Sequence, residues 1–249
     1  MNVKLTTVAI GCLLSARVMA YPFLQLDIGG GLYDNADQSI YSQSKVFTLY
    51  ALENTESPAF RETLIDPKFY ISMALVPSAG ANQTMPAYGS IKVDGTEYLP
   101  SSSSWTYGTP PLDGEYPPLG PHSIFPAFCM ELNFSFNVNN RATAYDVQYH
   151  PGEFQASSSG SFYYNAFNID VTQLDPAYCL HFDLYRTSYD EKLQKRVIKV
   201  YTYDTDFAPY SHDAYSGNLV PDSSTTIMLL GIALCGIGGL RSRMSVVSR

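Results

Sequence analysis

Cations are scarce in this chain. Against 23 aspartates and glutamates stand 15 lysines and arginines, a formal net charge of −8 over 249 residues. Lys4, Arg17, Arg241, Arg243 and Arg249 lie close to the two ends, so the stretch between them is more acidic still. Phosphate backbones and anionic lipid surfaces are held through Lys and Arg, which excludes nucleic acid as a partner and disfavours adhesion to anionic membranes. Cysteine is also scarce: of 4 in the chain, Cys12 and Cys235 fall in apolar terminal segments, leaving Cys129 and Cys179 in the body. No CxxC pair occurs, so neither a zinc ribbon nor a thioredoxin-like redox motif is present. GxSxG, HExxH and phosphate-loop patterns are missing, and Gly29-Gly30-Gly31 lacks the GxGxxG spacing of a dinucleotide site. Nothing repeats at a fixed period, which excludes a solenoid or propeller.

What the chain has in quantity is aromatic residues, 20 Tyr and 13 Phe. Many sit in runs of period two. Phe128, Met130, Leu132, Phe134, Phe136 and Val138 alternate with Cys129, Glu131, Asn133, Ser135 and Asn137, the pattern of a half-buried strand. The same period recurs at Phe69, Ile71, Met73 and Leu75, at Tyr178, Leu180, Phe182 and Leu184, and more weakly at Phe47, Leu49 and Ala51. Val197–Asp204 reads as a further strand. Asp94-Gly95 suits a two-residue hairpin turn, whose central positions need positive φ. Pro100–Pro126 holds too many prolines for a ladder strand and predicts a long surface loop. These features predict an all-β fold, an antiparallel β-sandwich of jelly-roll-like or Ig-like kind. One domain or two joined at that loop both fit.

The ends read as processing signals. Residues 1–20 carry Lys4, an apolar stretch from Leu5 to Leu14, and Val18-Met19-Ala20 where a signal peptidase would cut, which predicts a secretory signal peptide with a signal helix. Ala9-Ile10-Gly11-Cys12 is a lipoprotein-like alternative with a very short apolar region. At the other end the apolar run 227–240 would form a helix of about 21 Å, a marginal span for a hydrocarbon core of about 30 Å. Arg241 and Arg243 follow it and tend to stay cytoplasmic, leaving the body outside and transiently anchored to the inner membrane by this short transmembrane helix. The domain plan is a signal peptide at 1–20, an exported body at 21–219 and a tail at 220–245.

The tail order Val220-Pro221-Asp222-Ser223, Thr-containing linker, apolar run, then Arg241 and Arg243 resembles the PEP-CTERM sorting signal of Gram-negative bacteria. Asp222 departs from the Glu that many members carry. The resemblance implies an exosortase-type membrane enzyme that cleaves near Pro221 and Asp222, after which the product is tethered or released. Body segments QLDIGGGLYD (25–34), FTLYAL (47–52), FNIDVT (167–172), HFDLY (181–185) and FAPYSHDA (207–214) together resemble the choice-of-anchor N proteins. That resemblance implies export and surface sorting and carries over no catalytic residue.

Candidate chemistry is sparse. Cys129 and Cys179 are a candidate disulfide in an oxidising compartment, closing a loop worth about 4 kcal/mol in the chain-entropy model. Cys179, His181 and Asp183 share one strand face. Residues i and i+2 on a strand stand roughly 7 Å apart, which argues against a direct His–Asp relay. A zinc there would recruit Glu131 or Cys129. Asp27, Asp34 and Asp37 around the glycines, and Asp204 and Asp206 with His212-Asp213, are weak calcium candidates, although neither set fits an EF-hand loop. No other cofactor is expected. Two roles remain open: a non-catalytic structural or interaction protein of the surface or extracellular matrix, as in a biofilm, or a calcium-assisted carbohydrate module binding exopolysaccharide. A secreted hydrolase ranks below both, because no catalytic carboxylate pair can be singled out.

Overall fold

The period-two runs become strands. A computed structural model describes residues 21–60, 65–77, 89–100, 102–120, 124–194 and 198–217. The predicted signal peptide (1–20), the sorting residues Val220, Pro221, Asp222, Ser223, Arg241 and Arg243, and both predicted flanking helices lie outside the described residues. Among the described residues no helix is long and apolar enough to cross a membrane.

In chain order the strands are β1 (Leu24–Ile28), β2 (Leu32–Asp34), β3 (Ser39–Tyr41), β4 (Val46–Asn54), β5 (Ile65–Pro77), β6 (Ile91–Val93), β7 (Thr96–Tyr98), β8 (Thr106–Gly108), β9 (Ala127–Phe134), β10 (Arg141–Ala142), β11 (Phe162–Asp170), β12 (Tyr178–Gln194), β13 (Ile198–Phe207) and β14 (Asp213–Tyr215). A 6-stranded sheet has the order β1-β4-β11-β6-β7 with β10 also on β11, and an 8-stranded sheet has the order β2-β3-β14-β12-β5-β9-β8 with β13 also on β12. The ladders are antiparallel but for one: β14 runs parallel to β3, so the second sheet is mixed rather than purely antiparallel as predicted. The reason is topological, since the chain returns from β13 through a 3₁₀ turn at Tyr210–His212 and enters β14 alongside β3.

The two sheets share one apolar core. Leu24, Leu26 and Ile28 of β1 and Leu49 of β4 meet Ile71 and Met73 of β5 and Phe182 and Leu184 of β12 in a single cluster. Full burial of such a side chain contributes roughly 1.5–3 kcal/mol relative to exposure. Asp94 (φ 50) and Gly95 (φ 80) join β6 to β7, the two positive-φ positions that the hairpin was predicted to need.

The proline-rich stretch is not a surface excursion. It contains β8, paired to β9, and Trp105, which is buried. Leu112, Ile124 and Phe125 pack on Ala74, Ala127 and Cys129, and the Leu112 N–H donates to Glu131 Oε1 at 2.8 Å. Part of the sheet face read as solvent-facing is therefore covered by this stretch. The predicted strand also stops at Phe134, and Val138 is exposed.

The smaller sheet is covered in the same way. Tyr145, Val147 and Phe154 of the segment 143–155 lie over the second face of β1 and β4, with Phe154 stacked on Tyr50 at 3.8 Å between centroids. Gln25 donates to the Tyr145 carbonyl at 2.8 Å and accepts the Val147 N–H at 3.2 Å. Gln25 here, like Glu131 on the larger sheet, is a hydrogen-bonding anchor of the covering segment.

Candidate functional site

The larger sheet places Cys129, Ala74, His181 and Tyr215 in one row across β9, β5, β12 and β14. The next row on that face holds Glu131, Ser72 and Asp183. One step along the β12–β14 register from Phe182 and Ala214 brings Asp213 beside Asp183. His181 Nδ1 stands 3.1 Å from Asp183 Oδ2, and its Nε2 stands 3.6 Å from Asp213 Oδ2. The direct His181–Asp183 contact overturns the sequence expectation, because flexible side chains lean together across a gap that the backbone spacing alone leaves open.

The cluster is sealed. His181 is 0% exposed and Asp183 and Asp213 are each 2% exposed. The ring of Tyr215 lies 4.4 Å from that of His181 and the ring of Phe125 lies 6.5 Å away, both edge-on. Burial by itself would lower the His181 pKa, but the two carboxylates outweigh it and raise the group to about 9. Burial first, and then the charge of Asp183, push the Asp213 carboxyl well above the usual carboxylate range. An imidazole held between two carboxyl groups, with Asp213 pushed toward its neutral form, is the arrangement these shifts describe. Among the described residues this is the group of side chains whose donor atoms converge as a metal would require.

The other predicted site residues do not assemble. Cys129 and Cys179 are free and buried. They sit on β9 and β12 with β5 between, two strand spacings or about 10 Å apart, beyond the roughly 7 Å that a disulfide tolerates between Cα atoms. The predicted bridge is therefore not made. Burial pushes both thiols up to about 12, so neither is a thiolate nucleophile near neutral pH. Cys179 packs with Val76 and Tyr215, and its Sγ lies 3.7 Å from the Val76 carbonyl rather than on His181.

The weak calcium candidates also separate. Asp27 is fully buried and accepts from Tyr145 Oη at 2.5 Å, Ile28 N at 2.8 Å and Gly152 N at 2.9 Å. Burial outweighs those donors and raises its carboxyl to about 6. Asp34 closes a turn by accepting the Ala36 N–H at 2.8 Å, and Asp37 follows in the same β2–β3 connection. Asp206 lies within β13 rather than beside a loop and pairs with Arg186, whose Nε is 3.2 Å away, while Asp204 accepts the Thr205 N–H at 3.0 Å. His212 pairs with Asp146 at 3.0 Å. Asp27, Asp34, Asp204 and Asp206 thus serve hydroxyl, backbone or cationic partners, and of these two sets only Asp213 joins a converging cluster, the one at His181.

Clefts open on the surface of the described residues. One, of about 410 Å³, is lined in part by Tyr41, Gln43, Lys45, Pro176 and Tyr178. A smaller one, of about 170 Å³, is lined by Thr143, Tyr145, His150, Glu153 and Gln155. Asp213 was legible only as a turn acid next to His212. No local spacing links it to His181, and only the β12–β14 pairing brings them together.

Comparison with known families returns the VPDSG-CTERM motif, matched over residues 220–244. The chain reads Val220-Pro221-Asp222-Ser223-Ser224 there, so Asp222 fits this form of the signal and Ser224 stands where the motif has glycine. A PEP-CTERM-like sorting signal of this type supports export to the cell surface and implies processing by an exosortase-like membrane enzyme. No curated protein and no solved structure matches the chain. The choice-of-anchor N resemblance of the body gains no support from these comparisons.

Proposed function

We propose that this chain is an exported protein of the cell surface or extracellular matrix, a β-sandwich with a structural or interaction role and no catalytic one. The observation that carries the reading is the sorting motif at residues 220–244. The chemistry of the body is consistent with it: Cys129 and the His181 cluster are buried, and Cys179, which borders the larger cleft, is buried with its thiol pushed up to about 12. In this reading a signal peptidase removes residues 1–20 and the exosortase-type enzyme cuts near Pro221. The apolar run 227–240 holds the precursor in the inner membrane between those two events. The body then belongs with the choice-of-anchor proteins that its segments resemble.

Polysaccharide binding is the second reading, favoured by the cleft that presents Tyr41 and Tyr178 beside Gln43 and Lys45. Aromatic faces with polar neighbours suit sugar rings. Asp27, Asp34, Asp37, Asp204 and Asp206 do not converge on one site among the described residues, so this reading is proposed without calcium. A glycan panel separates the two readings, because only the second predicts retention that Tyr41→Ala and Tyr178→Ala abolish. The sorting claim is tested by changing Arg241 and Arg243 to Ser, which should leave uncleaved precursor in the membrane fraction. Normal processing of that variant would overturn it.

A further inference from the structure

The last described strand, β14, is 3 residues long. It joins β12 through only His181↔Tyr215 and Phe182↔Ala214, and joins β3 through Asp213↔Ser39, Ala214↔Ile40 and Tyr215↔Tyr41. A strand so short gains little from its ladder alone. At its first residue, however, Asp213 meets Asp183 and His181 of β12, and one donor atom from each of the three lies within 4.8 Å of the others. Ion pairing with His181 calls for one carboxylate. Here two are buried against one ring, and their donor atoms converge on a common point, which is the arrangement a bound ion requires.

A neighbouring residue adds a further oxygen. Ser72 is 0% exposed and sits opposite Asp183 in the β5–β12 register, with Cys129 as its other polar neighbour. Its hydroxyl is thus a buried oxygen on the same sheet face as the cluster. Charge gives a further reason. A divalent cation that displaces the proton of the imidazole balances the two carboxylates and supplies each donor with a bond.

We propose that His181, Asp183 and Asp213 bind a zinc ion that clamps β14 to β12. One imidazole nitrogen and two carboxylate oxygens are ligands that zinc accepts in a four-coordinate shell, with the Ser72 hydroxyl as the fourth polar group. Calcium, which takes six to eight oxygens, is poorly served by this donor set. The burial of the cluster makes the ion structural: it enters as the strands close and supplies no open coordination position for catalysis. The site lies wholly within the body, so it stands or falls independently of how the tail is processed.

The test uses the full chain, solubilised in mild detergent, stripped with a chelator and titrated with zinc chloride, with manganese and calcium chlorides in parallel. The expected result is one equivalent of zinc held tighter than either other ion, with a rise in unfolding temperature. Asp213→Asn and His181→Gln should each weaken binding by at least the roughly 10–100-fold typical of lost outer-shell partners, while His150→Gln, in an exposed pair with Glu153, should not. Because the buried variants are open to misfolding, X-ray absorption at the zinc edge of the unaltered chain gives a second readout. Nitrogen and oxygen neighbours without sulfur are expected. Absence of stoichiometric zinc, sulfur in the shell, or undiminished binding by a folded Asp213→Asn chain would each overturn the proposal.

Discussion

Tyr145 donates its phenol hydroxyl to Asp27 at 2.5 Å across a sequence separation of 118 residues, and both side chains are buried. The bond ties the segment 143–155 to the first strand. A second tyrosine–carboxylate pair, Tyr185 with Glu131, lies beneath the proline-rich stretch that covers the other sheet. In both places a carboxylate on the second face of a sheet also takes a backbone N–H of the covering segment, Gly152 in one and Leu112 in the other.

Tyr145→Phe removes one donor and leaves Asp27 with two backbone partners. The expected cost is about 1–3 kcal/mol, the price of an under-satisfied buried group. Urea unfolding of variant and parent measures it, with a lower midpoint and an unchanged slope expected.

Gly152 has φ +72, and a Cβ there would come within 2.8 Å of the Gly31 backbone nitrogen. Gly152→Ala therefore combines a left-handed backbone penalty of roughly 1–2 kcal/mol with a clash that no flexible side chain can relieve. Limited proteolysis should cut the variant within 143–155 while the parent resists. Equal resistance of the two would show that the close approach does not hold the segment down.

Stability should fall as pH rises from about 4 to 7. Burial raises the Asp27 carboxyl from 3.8 to about 6 against its hydrogen bonds, and raises Glu53 from 4.5 to about 7 against the charge of Arg186. Between those limits the folded chain keeps protons that the unfolded chain releases. The contribution is fully present below the unfolded values and is lost as pH passes 6 and then 7. Each group accounts for on the order of 3 kcal/mol. Thermal unfolding across this range, with chelator present, should show a declining midpoint, and a midpoint that rises toward neutrality would contradict the shifts.

Both buried thiols should resist alkylation in the native state and react on unfolding without reductant. Cys129 and Cys179 are free, with thiols raised to about 12. A disulfide would instead leave them silent in denaturant until reduced.

The strands were legible because aromatic and aliphatic residues recur at every second position in Phe69–Leu75 and Tyr178–Leu184, and the Asp94-Gly95 turn because few residue pairs accept two positive φ values. What could not be read was coverage. Alternation marks Cys129, Glu131, His181 and Asp183 as the polar face of a half-buried sheet, yet all except Glu131 are buried and Glu131 is only partly exposed. The covering comes from a proline-rich stretch whose composition says only that it cannot join a central strand. The His181–Asp213 pairing was hidden for a similar reason. It depends on a three-residue strand, β14, whose place between β3 and β12 follows from topology and from no local pattern.

Surface sorting is tested most directly by the intact mass of the protein recovered from its native host, in membrane and medium fractions. The expected species begins near Tyr21 and ends near Val220, lacking both apolar ends. A species that retains the residues beyond Val220 in every fraction would contradict it, leaving the tail as a plain anchor rather than a processed signal.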